Sequence, residues 1–123
     1  MSFWGLLLIG PALAGILDKG DPEKGKALYA DQCAVCHSIK PGIHGHLGPT
    51  LAGVMGRRAG SVSDYDFSPA MAGDGRIWTP EALDRYLEDP KASLPGGRMK
   101  FFGLKDAFER ADLIAFLKQI SER

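Results

Sequence analysis

The pentapeptide Cys33-Ala34-Val35-Cys36-His37 holds the residues of this chain that are best suited to chemistry. Two thiols three positions apart can meet the two vinyl groups on one edge of a haem and form thioethers with them. A histidine that follows at once is then placed to ligate the iron through a ring nitrogen. Both cysteines of the chain lie here. The C-x-x-C-H spacing therefore predicts covalent haem attachment at this point.

The local residues leave three other interpretations open. A C-x-x-C pair can be a redox dithiol, although that interpretation requires a βαβ pattern nearby, and the chain has no strand run of that kind. The two cysteines could instead join His44 and His46 in a zinc site. The motif could also occur by chance in an ordinary helix.

Length and composition limit the class of protein. A chain of 123 residues corresponds to one domain. Fifteen basic and fifteen acidic residues cancel, so the overall charge does not favour nucleic acid or an anionic membrane as a partner. Sixteen glycines and eight prolines indicate a loop-rich protein with few strands.

The chain begins with an apolar run, residues 3–17, interrupted by Pro11. As a helix it would span roughly 22 Å, less than the roughly 30 Å of a membrane's hydrocarbon core. Ala12-Leu13-Ala14 offers a small-x-small cleavage site. The sequence predicts a leader over residues 1–19, either a cleaved export signal, which we favour, or an uncleaved membrane anchor, followed by a domain over residues 20–123.

Capping residues predict where the first helix begins. Asp21 can cap it and Pro22 suits its first position. This helix should run to about Ala34 and deliver Cys33 at its end. Gly25 in its interior costs about 1 kcal/mol relative to alanine, which a close helix–helix crossing would explain.

The second and third helices have similar starts. Thr79 and Pro80 begin the second helix, which Pro90 ends. Asp106 opens the last helix, which should run to about Ser121. Its apolar side is predicted to consist of Phe108, Ala111, Ile114, Ala115, Leu117 and Ile120.

The long segments between the predicted helices lack a regular sequence pattern. Residues 38–78 show little helical or strand periodicity, and a structureless loop of that length is unusual in an ordinary core. Such a long loop would be explained if it wraps around a large rigid ligand. A second loop, residues 94–102, contains Met99 beside several glycines.

The chain from Gly20 to Arg123 resembles class I cytochrome c, the mitochondrial-type and bacterial soluble family. Beside the C-x-x-C-H motif, the resemblance rests on residues 20–26, 47–51, 56–60, Trp78, 95–99 and 110–117. The sequence departs from the family pattern at Phe67 and Gly97, where the family often has tyrosine and threonine. Several separate motifs in the same order weigh against the zinc and dithiol interpretations.

The resemblance implies an all-α cytochrome c fold, with three main helices and long loops wrapped around one covalently bound haem. The first and last helices are expected to cross at Gly25 and Tyr29. His37 and Met99 are the implied axial ligands of the iron. The carbonyl of Pro49 should accept a hydrogen bond from the other ring nitrogen of His37 and so fix the ring.

The resemblance also implies supporting roles around the haem. Arg57 and Trp78 should hold a propionate, whose charge would be costly to bury unpaired. Tyr86 should lie near the sulfur of the methionine ligand. Phe101 should cover the exposed haem edge.

The implied function is that of a one-electron carrier, because both axial positions are filled. Such a monomer would serve redox complexes such as a quinol:cytochrome c oxidoreductase, a terminal oxidase or a photosynthetic reaction centre. It should act in the periplasm, either soluble or held at the inner membrane by residues 3–17. A peroxidase-like or gas-sensing haem protein remains an alternative, and both would require Met99 to leave the iron.

Overall fold

Helices make up the regular secondary structure of residues 15–122, the part of the chain that this computed structural model describes. The helices are α1 (Pro22–Gln32), α2 (Pro69–Ala72), α3 (Pro80–Glu88), α4 (Pro90–Ser93) and α5 (Ala107–Ser121). A helical turn over residues 15–18 precedes them. The expected all-α fold is confirmed. The greater part of the predicted leader, residues 1–14, lies outside the described residues.

Side-chain caps begin the three main helices where the sequence predicts. The carboxylate of Asp21 accepts from the Glu23 N–H at 2.9 Å, and the Thr79 hydroxyl accepts from the Ala82 N–H at 3.0 Å. At α5, Asp106 accepts from the backbone two positions on, at 2.8 Å. Each contact satisfies an N–H group that a helix start leaves without a partner.

Helices α1 and α5 cross at the predicted glycine. A Cβ added to Gly25 would lie 1.9 Å from the carbonyl oxygen of Asp112, so the backbones meet too closely for any side chain. One turn on, the ring of Tyr29 packs at 5.6 Å from that of Phe116. The N–H of Asp21 also donates to the Asp112 carboxylate at 2.8 Å. The crossing therefore fixes the end of α1 relative to the core.

The predicted apolar side of α5 is partly wrong. Phe108 is 60% exposed, whereas Leu113 and Phe116, which the single-face pattern left out, are buried. Helix α5 contacts both α1 and α3, so its buried surface extends around more of the helix than one stripe. Within residues 15–122, no helix has both the length and the apolar character needed to cross a membrane.

The loops contain two short helices that the sequence pattern did not indicate. Helix α2 lies within the long loop and is capped by Ser68, whose hydroxyl accepts from the Met71 N–H at 3.1 Å. Pro90 does more than end α3, because it begins α4, which Asp89 caps. Helix α4 leads directly into the segment that carries Met99.

Candidate haem site

The C-x-x-C-H motif forms a tight turn directly after α1. Cys33 is the C-cap of the helix, and its carbonyl accepts from the N–H groups of Cys36 and His37 at 3.1 and 2.9 Å. Both thiols are unpaired and partly buried. Burial, with a smaller contribution from the charge of Cys36, raises the pKa of the Cys33 thiol to about 11. The helix end thus presents both thiols on one turn, and the Cys33 thiol keeps its proton.

The ring of His37 is held by the backbone of the next loop. Its Nδ1 lies 2.7 Å from the Pro49 carbonyl oxygen, which can only accept, so Nδ1 carries the proton and Nε2 keeps its lone pair. Burial lowers the pKa of the ring, opposed by the Pro49 hydrogen bond, and the charge of Arg57 lowers it further. His37 is therefore a neutral imidazole with one nitrogen able to bind a metal.

Two glycines allow the loop to lie flat against this histidine. A Cβ on Gly48 would come within 2.6 to 3.0 Å of three atoms of the His37 ring, and one on Gly45 would lie 2.0 Å from the Cys36 carbonyl oxygen. The N–H of Gly48 donates to the same Cys36 carbonyl at 2.9 Å. The sequence motif contained Gly48, but its contact with the His37 ring is visible only in the structure.

Tyr29 connects the helix crossing to the histidine. Its hydroxyl donates to the backbone carbonyl of His37 at 3.0 Å, and its ring packs on α5. Burial, with a smaller effect from Cys33, raises the pKa of Tyr29, so the hydroxyl keeps the proton that it donates. The backbone position of His37 is thereby coupled to the packing of α1 on α5.

The zinc interpretation is wrong. His44 uses both ring nitrogens on the protein, accepting from the Thr50 N–H at 3.0 Å and donating to the Ser63 carbonyl at 2.9 Å. His46 is exposed. His44 is thus a structural bridge between two parts of the long loop, and neither nitrogen is left to join Cys33 and Cys36 at a metal.

Met99 is tied down more firmly than its glycine-rich surroundings suggest. The hydroxyl of Tyr86 lies 3.9 Å from the Met99 sulfur, and the side chain packs against the core. The neighbouring Arg98 donates to the Asp66 carbonyl at 3.0 Å. Burial is the main cause that raises the pKa of Tyr86, so its hydroxyl stays protonated beside the sulfur.

Arg57 and Trp78 are brought together by backbone pairing. The Trp78 N–H donates to the Arg57 carbonyl at 2.9 Å, next to the isolated bridge between Arg58 and Ile77. The Arg57 guanidinium donates to the carbonyls of Thr50 and Ala52, both at 3.1 Å. Burial lowers the pKa of Arg57. A half-buried cation therefore lies on the same loop pair as the tryptophan.

Two consecutive phenylalanines follow the methionine segment and differ in environment. Phe101 is half-buried and packs against the core, whereas Phe102 is 96% exposed. Lys100 and Lys105 on either side are exposed as well. The family resemblance implied a role for Phe101 alone, whereas nothing in the local sequence pattern separates the two rings.

The donor set fits a covalently bound haem. Two unpaired thiols can form thioethers, the neutral ring of His37 offers Nε2, and the thioether of Met99 offers a soft sulfur ligand. Gly48 leaves the His37 ring in place without a clash. The same residues would serve a dithiol poorly, because the pKa of Cys33 is raised rather than lowered.

Comparisons with known proteins agree with this site. The family model for cytochrome c matches residues 22–121. The chain is similar to cytochrome c2 of Rhodomicrobium vannielii, 42% identical over 91% of each chain. It is similar to cytochrome c2 of Blastochloris viridis, 38% identical over 96% of this chain and 91% of the relative. Cytochrome c of Cochliobolus lunatus is 43% identical over 83% of this chain and 94% of the relative. The chain therefore belongs to the cytochrome c family, as a one-electron carrier rather than an enzyme, with one haem c bound covalently through Cys33 and Cys36.

Proposed function

We propose that His37 and Met99 are the two axial ligands through which this carrier works. The observation that carries the proposal is the hydrogen bond from His37 Nδ1 to the Pro49 carbonyl, because it orients the ring and leaves the lone pair of Nε2 available to a metal. The haem iron supplies the one-electron chemistry by cycling between ferrous and ferric states. With His37 and Met99 both holding the iron, no position would be open to a substrate, and the methionine would raise the potential relative to two nitrogen ligands.

Arg57, Trp78 and Phe101 complete the proposed site. Arg57 and Trp78 share a backbone pairing, and the half-buried guanidinium would neutralise a propionate that is costly to bury alone. Phe101 lies two residues after Met99 and packs against the core, where it would cover the haem edge. Tyr86 positions the methionine through its hydroxyl.

A visible spectrum separates this proposal from the peroxidase-like and gas-sensing alternatives. The ferric protein should be low spin with a weak band near the red end of the spectrum. Met99→Ala should abolish that band, lower the potential and give peroxidase-like activity. Met55→Ala is the matched control, since Met55 is also a half-buried methionine packed against the core. An unchanged spectrum in Met99→Ala would mean that another residue is the ligand.

The proposed partners are acidic redox proteins such as a quinol:cytochrome c oxidoreductase, a terminal oxidase or a reaction centre. Residues 91–105 carry four basic side chains and no acidic one, and all four are exposed. These are Lys91, Arg98, Lys100 and Lys105. Phe102, 96% exposed, lies among them. An apolar centre with a charged rim is the usual anatomy of a docking surface.

The charges of this surface are not equally available to a partner. Arg98 lies 3.9 Å from the carboxylate of Asp66, and Lys105 donates to the Glu88 carbonyl at 2.6 Å. The Asp66 carboxylate offsets part of the Arg98 charge, whereas the neutral Glu88 carbonyl leaves the charge of Lys105 in place. Lys91, Lys100 and Lys105 therefore carry most of the proposed steering. At low salt they should speed association roughly 10-fold or more. At 0.15 M ionic strength the Debye length is about 8 Å, so the effect should fade.

The bimolecular electron-transfer rate with an acidic redox partner, measured against ionic strength, tests this surface. Lys100→Glu should slow the reaction at low salt and flatten its salt dependence. Lys24→Glu is the control, because it changes an exposed lysine on α1 with the same change in net charge. A flat salt dependence in the wild type, or equal losses in both variants, would contradict the steering.

The proposed location is the periplasm, with residues 1–19 as an export leader or an anchor and residues 20–123 as the haem domain. A c-type haem is attached after export in bacteria, which supports this location. Intact-protein mass on native soluble and membrane fractions tests it, since the mass reports leader cleavage and covalent haem together. Soluble cytoplasmic holoprotein would contradict it.

A further inference from the structure

Arg76 is the centre of a group of contacts that the haem-site residues do not include. It forms an ion pair with Asp74 through Nε, and its second guanidinium nitrogen donates to the other carboxylate oxygen at 2.9 Å. The Arg76 N–H also donates to this carboxylate at 3.3 Å. About a quarter of the Arg76 side chain is exposed. The two-point pairing fixes the plane of the guanidinium.

The same guanidinium reaches across to the end of α4. It donates to the hydroxyl of Ser93 at 2.7 Å and to the Ser93 carbonyl at 2.9 Å. Ser93 is the last residue of that helix, where a carbonyl lacks an intrahelical partner and a cation is favourable. Arg76 therefore anchors the chain six residues before Met99.

Arg76 also lies against the aromatic rings behind the methionine. Its guanidinium carbon is 5.7 Å from the centre of the Trp78 ring, within the range of a cation–π contact. The Trp78 ring packs at 5.1 Å from that of Tyr86, whose hydroxyl contacts the Met99 sulfur. Arg76 thus contacts both the segment that leads to Met99 and the Trp78 ring, which packs on Tyr86.

Little else restrains the segment between Ser93 and Met99. Leu94 is buried, but residues 95–98 are all exposed. Gly96 lies in a turn with a positive φ of 88°, a conformation that glycine adopts readily. Arg98 donates to the Asp66 carbonyl at 3.0 Å and lies 3.9 Å from the Asp66 carboxylate, but both contacts are exposed and are therefore weaker restraints than buried ones. The partly buried contacts of Arg76 are the stronger restraint.

We propose that Arg76, oriented by Asp74 and fastened to Ser93, is a positioning residue that holds the Met99 segment closed and keeps methionine bound to the iron. This inference rests on the proposed ligation by Met99. Removal of the guanidinium frees the end of α4 and loosens the packing behind Tyr86. The methionine is then off the iron in a larger fraction of molecules.

Imidazole binding to the ferric holoprotein measures that fraction. Imidazole competes with the methionine, and its apparent affinity rises in proportion to the open population. Arg76→Met keeps an unbranched side chain while removing the charge and the hydrogen bonds, and should raise the affinity roughly tenfold. Ser93→Ala removes only the hydroxyl acceptor and should raise it about threefold. Arg85→Met, on the exposed side of α3, is the control and should leave it unchanged.

A second readout separates positioning from general stability. Unfolding of the same variants in urea, followed by far-UV circular dichroism, should show losses too small to populate unfolded protein under the conditions of the imidazole titration. Unchanged imidazole affinity in Arg76→Met, or an equal rise in Arg85→Met, would overturn the inference. If Arg76→Met yields no holoprotein, the result for Ser93→Ala decides.

Failure of the proposed ligation would look different. In that case Met99→Ala would leave imidazole affinity at the wild-type value. If Met99→Ala raises the affinity and Arg76→Met does not, the ligation stands and the positioning role of Arg76 falls.

Discussion

Arg110 on α5 is buried against Asp84 on α3, with 2.8 Å between Nε and the carboxylate oxygen. Both side chains are less than a tenth exposed. The guanidinium also donates to the carbonyls of Leu104 and Lys105, at 2.9 and 3.1 Å. The pair therefore joins two helices to the chain that returns from the methionine segment.

Breaking this pair should be costly, because it leaves a charge buried without its partner. We expect Asp84→Asn to lower the free energy of unfolding of the holoprotein by about 3 kcal/mol or more in urea titrations. Asp31→Asn, at an exposed position, should change it by less than about 0.5 kcal/mol. The double variant Asp84→Leu/Arg110→Met should recover part of the loss. A loss no larger than that of Asp31→Asn would show that the pair contributes little.

Gly25→Ala distinguishes helix propensity from the helix crossing. Propensity alone predicts a gain of about 1 kcal/mol. The crossing predicts the opposite sign, a loss of roughly 2–3 kcal/mol, because the new Cβ would meet the Asp112 carbonyl. Ala27→Gly on the exposed side of α1 is the control and should cost about 1 kcal/mol. Thermal or urea unfolding compares both variants with the wild type, and a stabilised Gly25→Ala would disprove the close approach.

Gly48→Ala should disturb His37, the proposed iron ligand, directly. The added Cβ would meet the His37 ring, which must then move away from the Pro49 carbonyl. Loss of such a supporting hydrogen bond typically costs 10–100-fold in metal affinity or activity. We expect a lower yield of low-spin holoprotein, read from the ferric spectrum. Gly73→Ala is the control for adding a methyl group away from the histidine, since its Cβ would make only a mildly tight contact, 3.3 Å from the Pro69 carbonyl oxygen. A normal spectrum in Gly48→Ala would argue against this packing.

Protonation of Asp74 should weaken the Arg76 contacts in acid. The hydrogen bond from Arg76 holds the pKa of this carboxyl below its ordinary value of 3.8. The unfolded chain therefore binds the proton at a higher pH than the folded protein does. The stability that the Asp74–Arg76 pair contributes is complete above about pH 3.8 and is lost as the pH falls through the pKa of Asp74 in the folded protein. The difference in stability between wild type and Asp74→Asn should be constant from neutral pH to about pH 4 and shrink below it. A difference that grows in acid would contradict the pairing.

Covalent attachment predicts the behaviour of the cysteine variants. Haem should stay with the wild-type chain through acid–acetone extraction, because two thioethers hold it. Cys33→Ser and Cys36→Ser should each retain one thioether and hence the haem, and the double variant should lose it. Intact-protein mass measures the result. Haem extractable from the wild type would contradict attachment at these residues.

Much of the site could be predicted from the sequence, because the features concerned are local. The thioether spacing at Cys33 and Cys36 depends on one helical turn, and the caps at Asp21, Thr79 and Asp106 satisfy N–H groups two or three residues away. The backbone cost of Gly25 pointed correctly to a crossing, although the identity of its partner helix came from the family resemblance.

The tertiary structure decided which distant residues meet. Asp84 and Arg110 are separated by 26 residues, and Arg76 and Ser93 by 17. A lone arginine or aspartate carries no signal that it will be buried, since most charged residues are solvated. The same limit explains why Leu113 and Phe116 were missed: one-face periodicity assumes one neighbouring helix, and α5 has two. The sequence by itself thus determined the covalent chemistry and the helix ends, while the packing of α1, α3 and α5 determined which contacts hold the ligands in place.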